Sequence, residues 1–307
     1  MSVTTAIDLF AGAGGFTTGA EAAGVSVLWA GNHWQAAVDT HAANHPGTDH
    51  VCQDLHQADW NAVPVTDLVL ASPSCQGFSR ARGRDRAHHD AARSTAWAVV
   101  SCVERHEPKG FVVENVAAFR EWKLWPAWRL AMESLGYHLT DGVLDAADFG
   151  VPQHRERVFV VGTRDVDFEL PVGTAAHVGI DSVIDWPSGS WSDVKKPGRA
   201  TATLARWEAG RAKCGDRFVM PFYGSGSGKT GRDLARPIGT VTTRDRWALV
   251  DGDRLRMLTP AEYRAAMGFP SSYRLPAVRK TAIHLLGNAV CPPVVEAIVG
   301  RLAAAVA

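Results

Sequence analysis

Apolar positions along this chain change their rhythm twice. From residue 6 to about residue 162, short apolar runs alternate with longer segments of helical periodicity, the pattern of strands followed by covering helices. The runs at 5–9, 25–30, 68–71, 110–113, 139–145 and 157–162 are the expected strands, and residues 17–23, 34–43, 91–107 and 126–135 the expected helices. Such alternation predicts an α/β domain with a doubly wound, mostly parallel sheet. After about Val172 the rhythm dissolves into a stretch rich in Gly, Ser, Pro and Trp, which reads as a second, smaller, irregular module. Order returns from Arg256, where Thr259 is placed as an N-cap, Pro260 at the first helical position and Glu262 three residues after the cap. Pro292-Pro293 opens a final apolar helix.

Composition narrows the picture. The 307 residues, 46% of them hydrophobic, suffice for one large domain and a smaller one. No run of eighteen or more apolar residues occurs, and Met1-Ser2-Val3-Thr4-Thr5 lacks the basic start and apolar core of a signal peptide, so a cytoplasmic chain is expected. Cys52, Cys75, Cys102, Cys214 and Cys291 are widely spaced, with no C-x-x-C pair to suggest a zinc site or disulfide framework. A formal net charge of zero argues against bulk electrostatic capture of nucleic acid and leaves a local basic face open.

The first expected strand runs into Ala11-Gly12-Ala13-Gly14-Gly15-Phe16 and then a helix, an arrangement that lets backbone turn sharply and present helix amides to a ligand. The third glycine of a dinucleotide fingerprint would fall at Thr17, which disfavours NAD. Gly224-Ser225-Gly226-Ser227-Gly228-Lys229-Thr230 resembles a phosphate loop, but Tyr223 occupies the place of its leading glycine, so a plain glycine-serine loop is expected.

The buried run 68–71 is followed by Ser72-Pro73-Ser74-Cys75-Gln76-Gly77-Phe78-Ser79, at the carboxyl edge where open sheets place ligands and catalytic groups. Arg80, Arg82, Arg84, Arg86 and Arg93, with His88 and His89, come directly after. Cationic neighbours favour a thiolate at Cys75 and suit a loop that closes over a phosphate backbone, whereas a solvated charged face is the bland alternative. Cys52 and Cys102 lack such surroundings and read as structural. Phe111-Val112-Val113 ends in Glu114-Asn115, so the carboxylate should sit half-buried at the same edge, where desolvation would raise its pKa and let it donate a proton. In Gln153-His154-Arg155-Glu156-Arg157, the residues Gln153, Arg155 and Arg157 alternate onto one face.

Six blocks in order resemble the bacterial-type C5-cytosine-specific DNA methyltransferase family. They are Asp8-Leu9-Phe10-Ala11-Gly12-Ala13-Gly14-Gly15; the loop around Cys75-Gln76-Gly77-Phe78-Ser79; Glu114-Asn115-Val116; Gln153-His154-Arg155-Glu156-Arg157; Arg256-Met257-Leu258-Thr259 with Glu262 and Gly268-Phe269-Pro270; and Gly287-Asn288-Ala289-Val290. Residues from about 172 to 235 lie outside them.

The resemblance implies a Rossmann-like, S-adenosylmethionine-dependent catalytic domain over 1–171 and 281–307, with a target-recognition domain and hinge over 172–280. It implies that Cys75 adds to C6 of a flipped-out cytosine, Glu114 engages N3, Arg157 with Arg155 binds the base and orients Glu114, and Asn115 braces the loop. The donor would lie against Phe10, Ala11, Gly12, Gly14, Gly15, Asn32, His33, Trp34, Asp54, Leu55, Ser74 and Asn288. Gln76, Ser79, Arg80, Arg82, Arg84 and Gln153 would face double-stranded DNA. No metal and no membrane are implied; a monomer on DNA is expected, with room for a companion restriction endonuclease.

Two positions depart from the family pattern. His33 stands where an acidic residue usually binds the donor ribose, and Ser74 stands where proline usually precedes the cysteine. The 172–231 stretch carries Trp186, Trp191, Trp207, Lys195, Lys196, Arg199, Arg206, Arg211 and Arg217, an aromatic and basic set suited to target recognition or to packing of a small insert. A transfer RNA cytosine-C5 methyltransferase and a catalytically silent DNA-binding homologue remain the alternative readings.

Overall fold

In a computed structural model, residues 3–74, 87–222 and 231–307 are described, with backbone only for 87–94. The chain divides into two compact units: Met1–Asp145 with Glu156–Gly173 and Ala289–Ala307, and Ala146–Arg155 with Thr174–Asn288.

The first unit is built on seven strands: β1 Thr5–Leu9, β2 Ser26–Asn32, β3 Asp49–Cys52, β4 Leu68–Ala71, β5 Gly110–Asn115, β6 His138–Asp145 and β7 Glu156–Thr163. Their order is β3-β2-β1-β4-β5-β7-β6. The first four pairings are parallel, while β7 runs antiparallel to both β5 and β6. The expected mostly parallel, doubly wound sheet is thus present. All residues of β4 and β5 are buried, as expected of central strands covered on both faces. The sequence reading missed β3, whose Asp49-His50-Val51-Cys52 carries no apolar run because the strand lies at the sheet edge.

Helices α1 Gly15–Ala22, α2 Gln35–Asn44, α3 Ala87–His106 and α4 Trp125–Ser134 connect these strands. One core layer gathers Ile7, Leu9, Val69, Val99, Phe111, Phe119, Trp128 and Val160. Trp128 keeps its indole N–H satisfied by donating to the Ala96 carbonyl at 3.0 Å. The C-terminal helix α8, Pro292–Val306, approaches α1 closely. A Cβ on Gly15 would stand 2.2 Å from the Val290 carbonyl oxygen, and one on Gly19 2.5 Å from that of Pro292, so these glycines make the contact possible.

The second unit is more ordered than its sequence texture suggested. Strands β8 Ser192–Asp193, β9 Arg217–Pro221, β10 Trp247–Asp251 and β11 Arg254–Met257 form an antiparallel sheet in the order β8-β11-β10-β9. Helix α5, Thr201–Cys214, packs on it through Trp207, against Phe218, Met220, Ala248, Val250 and Leu255. These strands are two to five residues long, too short for the period-two signal to stand out among Gly, Ser and Pro. Helices α6 Pro260–Ala266 and α7 Arg279–Asn288 complete the unit. The predicted start of α6 is present in full, with Thr259 and Glu262 closing a reciprocal capping box. The stretch Arg279–Val306 has the length and hydropathy of a bilayer-crossing segment, but half of its most apolar window is buried inside the protein, as in a core helix.

Candidate active site

The first strand ends in a strained turn. Phe10 has φ of 60°, and Gly12 and Gly14 follow at 56° and 74°. A left-handed aromatic residue is uncommon and costs conformational energy, a feature that collects at ligand sites. Ala11 N–H donates to the Gly31 carbonyl at 3.1 Å and Gly14 N–H to that of Ala11 at 2.8 Å, tying the turn to β2 just before α1 begins. The amino end of a helix, where amides point outward along the axis, suits an anionic group.

Beside the turn lies a pocket whose wall includes Ala11, Gly12, Asn32, Val38, His41 and His50. Of the expected donor residues, Ala11, Gly12 and Asn32 therefore meet at one place. Asn32 Oδ1 accepts the Trp34 N–H at 2.9 Å, fixing the turn into α2. His33 is exposed and Trp34 half-buried. Asp54 is exposed and caps a short turn by accepting the His56 amide at 3.1 Å, whereas Leu55 is 2% exposed and belongs to the core. Gly15 meets Val290, so its lack of a side chain serves packing. Asn288 is exposed at the end of α7, in the second unit.

Behind the pocket runs a polar chain that the sequence reading did not find. Thr17 Oγ1 donates to Asp8 Oδ2 at 2.8 Å and lies 3.0 Å from His41 Nε2, while His41 Nδ1 is 2.7 Å from His50 Nε2. Thr17, the residue that argued against a dinucleotide, is thus the link between a fully buried carboxylate and two pocket histidines. Burial, then the neighbouring His41 and His45, holds His50 below the ordinary imidazole value.

Further along the carboxyl edge, Ala71 pairs with Val113, so the chain beyond β4 and the end of β5 emerge side by side. Glu114 is opposite Phe159 in the β5–β7 ladder, which makes Arg157, two residues away, its diagonal neighbour on the same face. Arg157 Nε lies 3.0 Å from Glu114 Oε1, with the side chains 16% and 7% exposed. Arg157 Nη1 also donates to the Glu156 carbonyl at 2.8 Å. Asn115 Nδ2 donates to the Pro73 carbonyl at 3.0 Å and its Oδ1 accepts the Val116 amide at 2.9 Å. Ser74 N–H donates to Thr95 Oγ1 at 3.0 Å, a contact from α3 that the sequence did not announce. Cys75, Gln76, Ser79, Arg80, Arg82 and Arg84 lie outside the described residues, as does the glycine-serine loop at 223–230. Cys102 is fully buried and its thiol is pushed far up by burial, which makes it inert.

The picture differs for the two residues expected to share a face with Arg157. Gln153 is fully buried: its amide donates to the Ala266 carbonyl at 3.0 Å and accepts the Val241 N–H at 2.6 Å. It serves the interior of the second unit, a correction to its expected role at DNA. Arg155, 2% exposed, donates from Nη1 to the Val241 carbonyl at 2.9 Å and from Nη2 to the Gly287 carbonyl at 3.0 Å. These bonds anchor backbone in the second unit instead of leaving the guanidinium free for a base. The aromatic and basic residues of the second unit stack on one another: Arg217 over Trp186, Arg254 over Trp191, and Lys195 and Arg211 over Trp207.

A strained glycine turn on the first strand, with a carboxylate and guanidinium paired at the same edge of a mostly parallel seven-stranded sheet, is the arrangement of an open-sheet α/β protein that takes its ligands at the carboxyl ends of its strands. The family model described as C-5 cytosine-specific DNA methylase matches residues 4–182 and 188–304. The chain belongs to that family. It is 31% identical to the Type II methyltransferase M.NlaX of Neisseria lactamica, over 97% of this chain and 96% of that protein. It is 28% identical to the Type II methyltransferase M.BsuFI of Bacillus subtilis, over 97% of this chain and 72% of the other. The fold superposes on the methyltransferase EhMeth of Entamoeba histolytica with a TM-score of 0.70, at 19% identity and 98% coverage of both chains.

Proposed function

We propose that this protein methylates C5 of cytosine in double-stranded DNA, with S-adenosylmethionine as donor and a covalent adduct through Cys75. The observation that carries the reading is the Glu114–Arg157 pair beside the Pro73–Ser74 peptide that leads into Cys75. Cytosine C5 is a poor nucleophile until a thiolate adds to C6 and an acid engages N3. Cys75 supplies the first group and Glu114 the second. Arg157 holds Glu114 by its Nε, which orients the carboxyl toward the base and steadies it when the proton moves. Once C5 carries the donated methyl group, a water molecule acting as base takes the C5 proton, the C–H electron pair forms the C5–C6 double bond as the Cys75 thiolate leaves C6, and the N3 proton returns to Glu114.

The donor supplies an electrophilic methyl group when bound. In the turn at Phe10, Gly12 and Gly14 the small residues Ala11 and Gly12 leave room for close approach of the donor, and the start of α1 beyond it suits the donor's carboxylate. The basic run from Arg80 to Arg93 holds the phosphate backbone. Target recognition falls to the second unit, whose Arg217–Trp186 and Arg254–Trp191 stacks each join an exposed arginine to a half-buried indole.

The test is methylation of duplex DNA and of transfer RNA with labelled S-adenosylmethionine, alongside Cys75→Ala and trapping on 5-fluorocytosine DNA. Label in DNA, abolished by Cys75→Ala and accompanied by a trapped adduct, is expected. Label in RNA alone would replace the substrate, and retention of activity by Cys75→Ala would overturn the covalent route.

A further inference from the structure

The single peptide that joins Pro73 to Ser74 is held at both ends. Its carbonyl, on Pro73, accepts from Asn115 Nδ2 at 3.0 Å, and its N–H, on Ser74, donates to Thr95 Oγ1 at 3.0 Å. A peptide unit is planar, so two bonds on opposite edges set the orientation of the whole plane. The two holders come from different elements, the end of β5 and the middle of α3, and both are within the first unit. Asn115 is itself oriented, since its Oδ1 accepts the Val116 amide. Thr95 is half-buried beside the fully buried Ala96, on a helix packed into the core through Val99 and Cys102. Beyond the clamped plane, only the two backbone torsions of Ser74 separate it from Cys75.

We propose that Thr95 is a positioning residue for the Cys75 nucleophile, acting through the Ser74 amide. The need for it follows from Ser74. A proline at this position would carry no N–H and would fix φ by its ring. Serine frees that torsion and adds a donor, and Thr95 takes the donor up, so the hydroxyl restores from outside the order that the backbone lost. The proposal rests on the reading of Cys75 as the nucleophile.

Thr95→Val keeps the shape of the side chain and removes the acceptor. In single-turnover reactions on 5-fluorocytosine DNA it is expected to slow adduct formation on the order of tenfold, the scale of one lost hydrogen bond. Donor and DNA dissociation constants should stay within about twofold, and Thr95→Ser should recover most of the rate. Hydrogen exchange at the Ser74 amide should accelerate in Thr95→Val and return in Thr95→Ser. The decisive comparison is Thr95→Val introduced into Ser74→Pro: with no N–H to hold, the second substitution should change the rate by less than about twofold. An equal loss in both backgrounds would mean that Thr95 acts by packing, and no loss in the wild-type background would mean that the clamp is idle; either overturns the proposal. If the wild-type protein forms no adduct at all, the nucleophile reading fails and takes the proposal with it. An active wild type with a silent Thr95→Val sinks the proposal alone.

Discussion

Two arginine–glutamate pairs in this protein look alike in sequence and differ in structure. Arg256 and Glu262 are enclosed, with side chains 0% and 1% exposed, and every oxygen of the carboxylate is used. Arg256 reaches both oxygens, at 2.6 and 2.8 Å, and donates to the Asp185 carbonyl, while Glu262 also accepts the Asp185 and Thr259 amides. Arg157 and Glu114, by contrast, meet through Arg157 Nε at 3.0 Å, and the arginine side chain stays 16% exposed beside a buried carboxylate. A closed pair whose carboxylate oxygens are both bound by the guanidinium and by backbone amides belongs to architecture, because a buried charge is tolerated only when it is paired. A pair that is open at its arginine, at the end of a strand, stands where a ligand can reach it.

That contrast can be broken by substitution. Glu114→Gln should lower the methylation rate by about 10²–10⁴-fold, the usual worth of a positioned general acid, with little change in the unfolding midpoint. Arg256→Ala should do the reverse: a loss of about 3–5 kcal/mol in denaturant unfolding, from stranding Glu262 as a buried charge, with adduct chemistry intact in the protein that remains folded. Should Glu114→Gln unfold the protein or Arg256→Ala leave its stability untouched, the division into open and closed pairs would fail. Arg157→Lys keeps the charge but loses the fixed planar geometry, and a rate decrease on the order of tenfold is expected, with donor affinity unchanged by calorimetry.

The smallest effect concerns the polar chain behind the pocket beside the glycine turn. His50 is held below the ordinary value of 6.5, so as pH falls from there the unfolded chain takes up the proton first. Stability from this site is therefore full above about pH 6.5 and drains as pH falls to and through the folded value. His50→Gln should flatten that part of the melting-temperature profile; a slope identical to wild type would remove His50 from the account. Groups facing it are His41 on α2 and His45 just past its end, Asp49 beside it on β3 and, through Thr17, Asp8 on β1.

Much of the scaffold was written locally. Strands β1 and β4 match the apolar runs residue for residue, and the capping box at Thr259 is where its residues announced it. Glu114 and Asn115 proved to be the last two residues of β5 itself, which is why their side chains are committed in opposite directions, toward Arg157 and toward Pro73. The small sheet of the second unit was hidden because its strands are short and their partners distant in sequence.

What the sequence determined by itself was therefore the class of fold, the glycine turn, the acid at a strand end and the family, since each rests on neighbouring residues whose period or spacing carries the signal. Only tertiary structure decided where polar side chains went. Gln153 reaches residues 88 and 113 positions away and is buried by them; Thr95 meets Ser74 across 21 positions; His41 meets Thr17 across 24. A hydrogen bond needs its partners within about 3 Å and properly aimed, and that is a property of how distant segments pack, which no local pattern specifies.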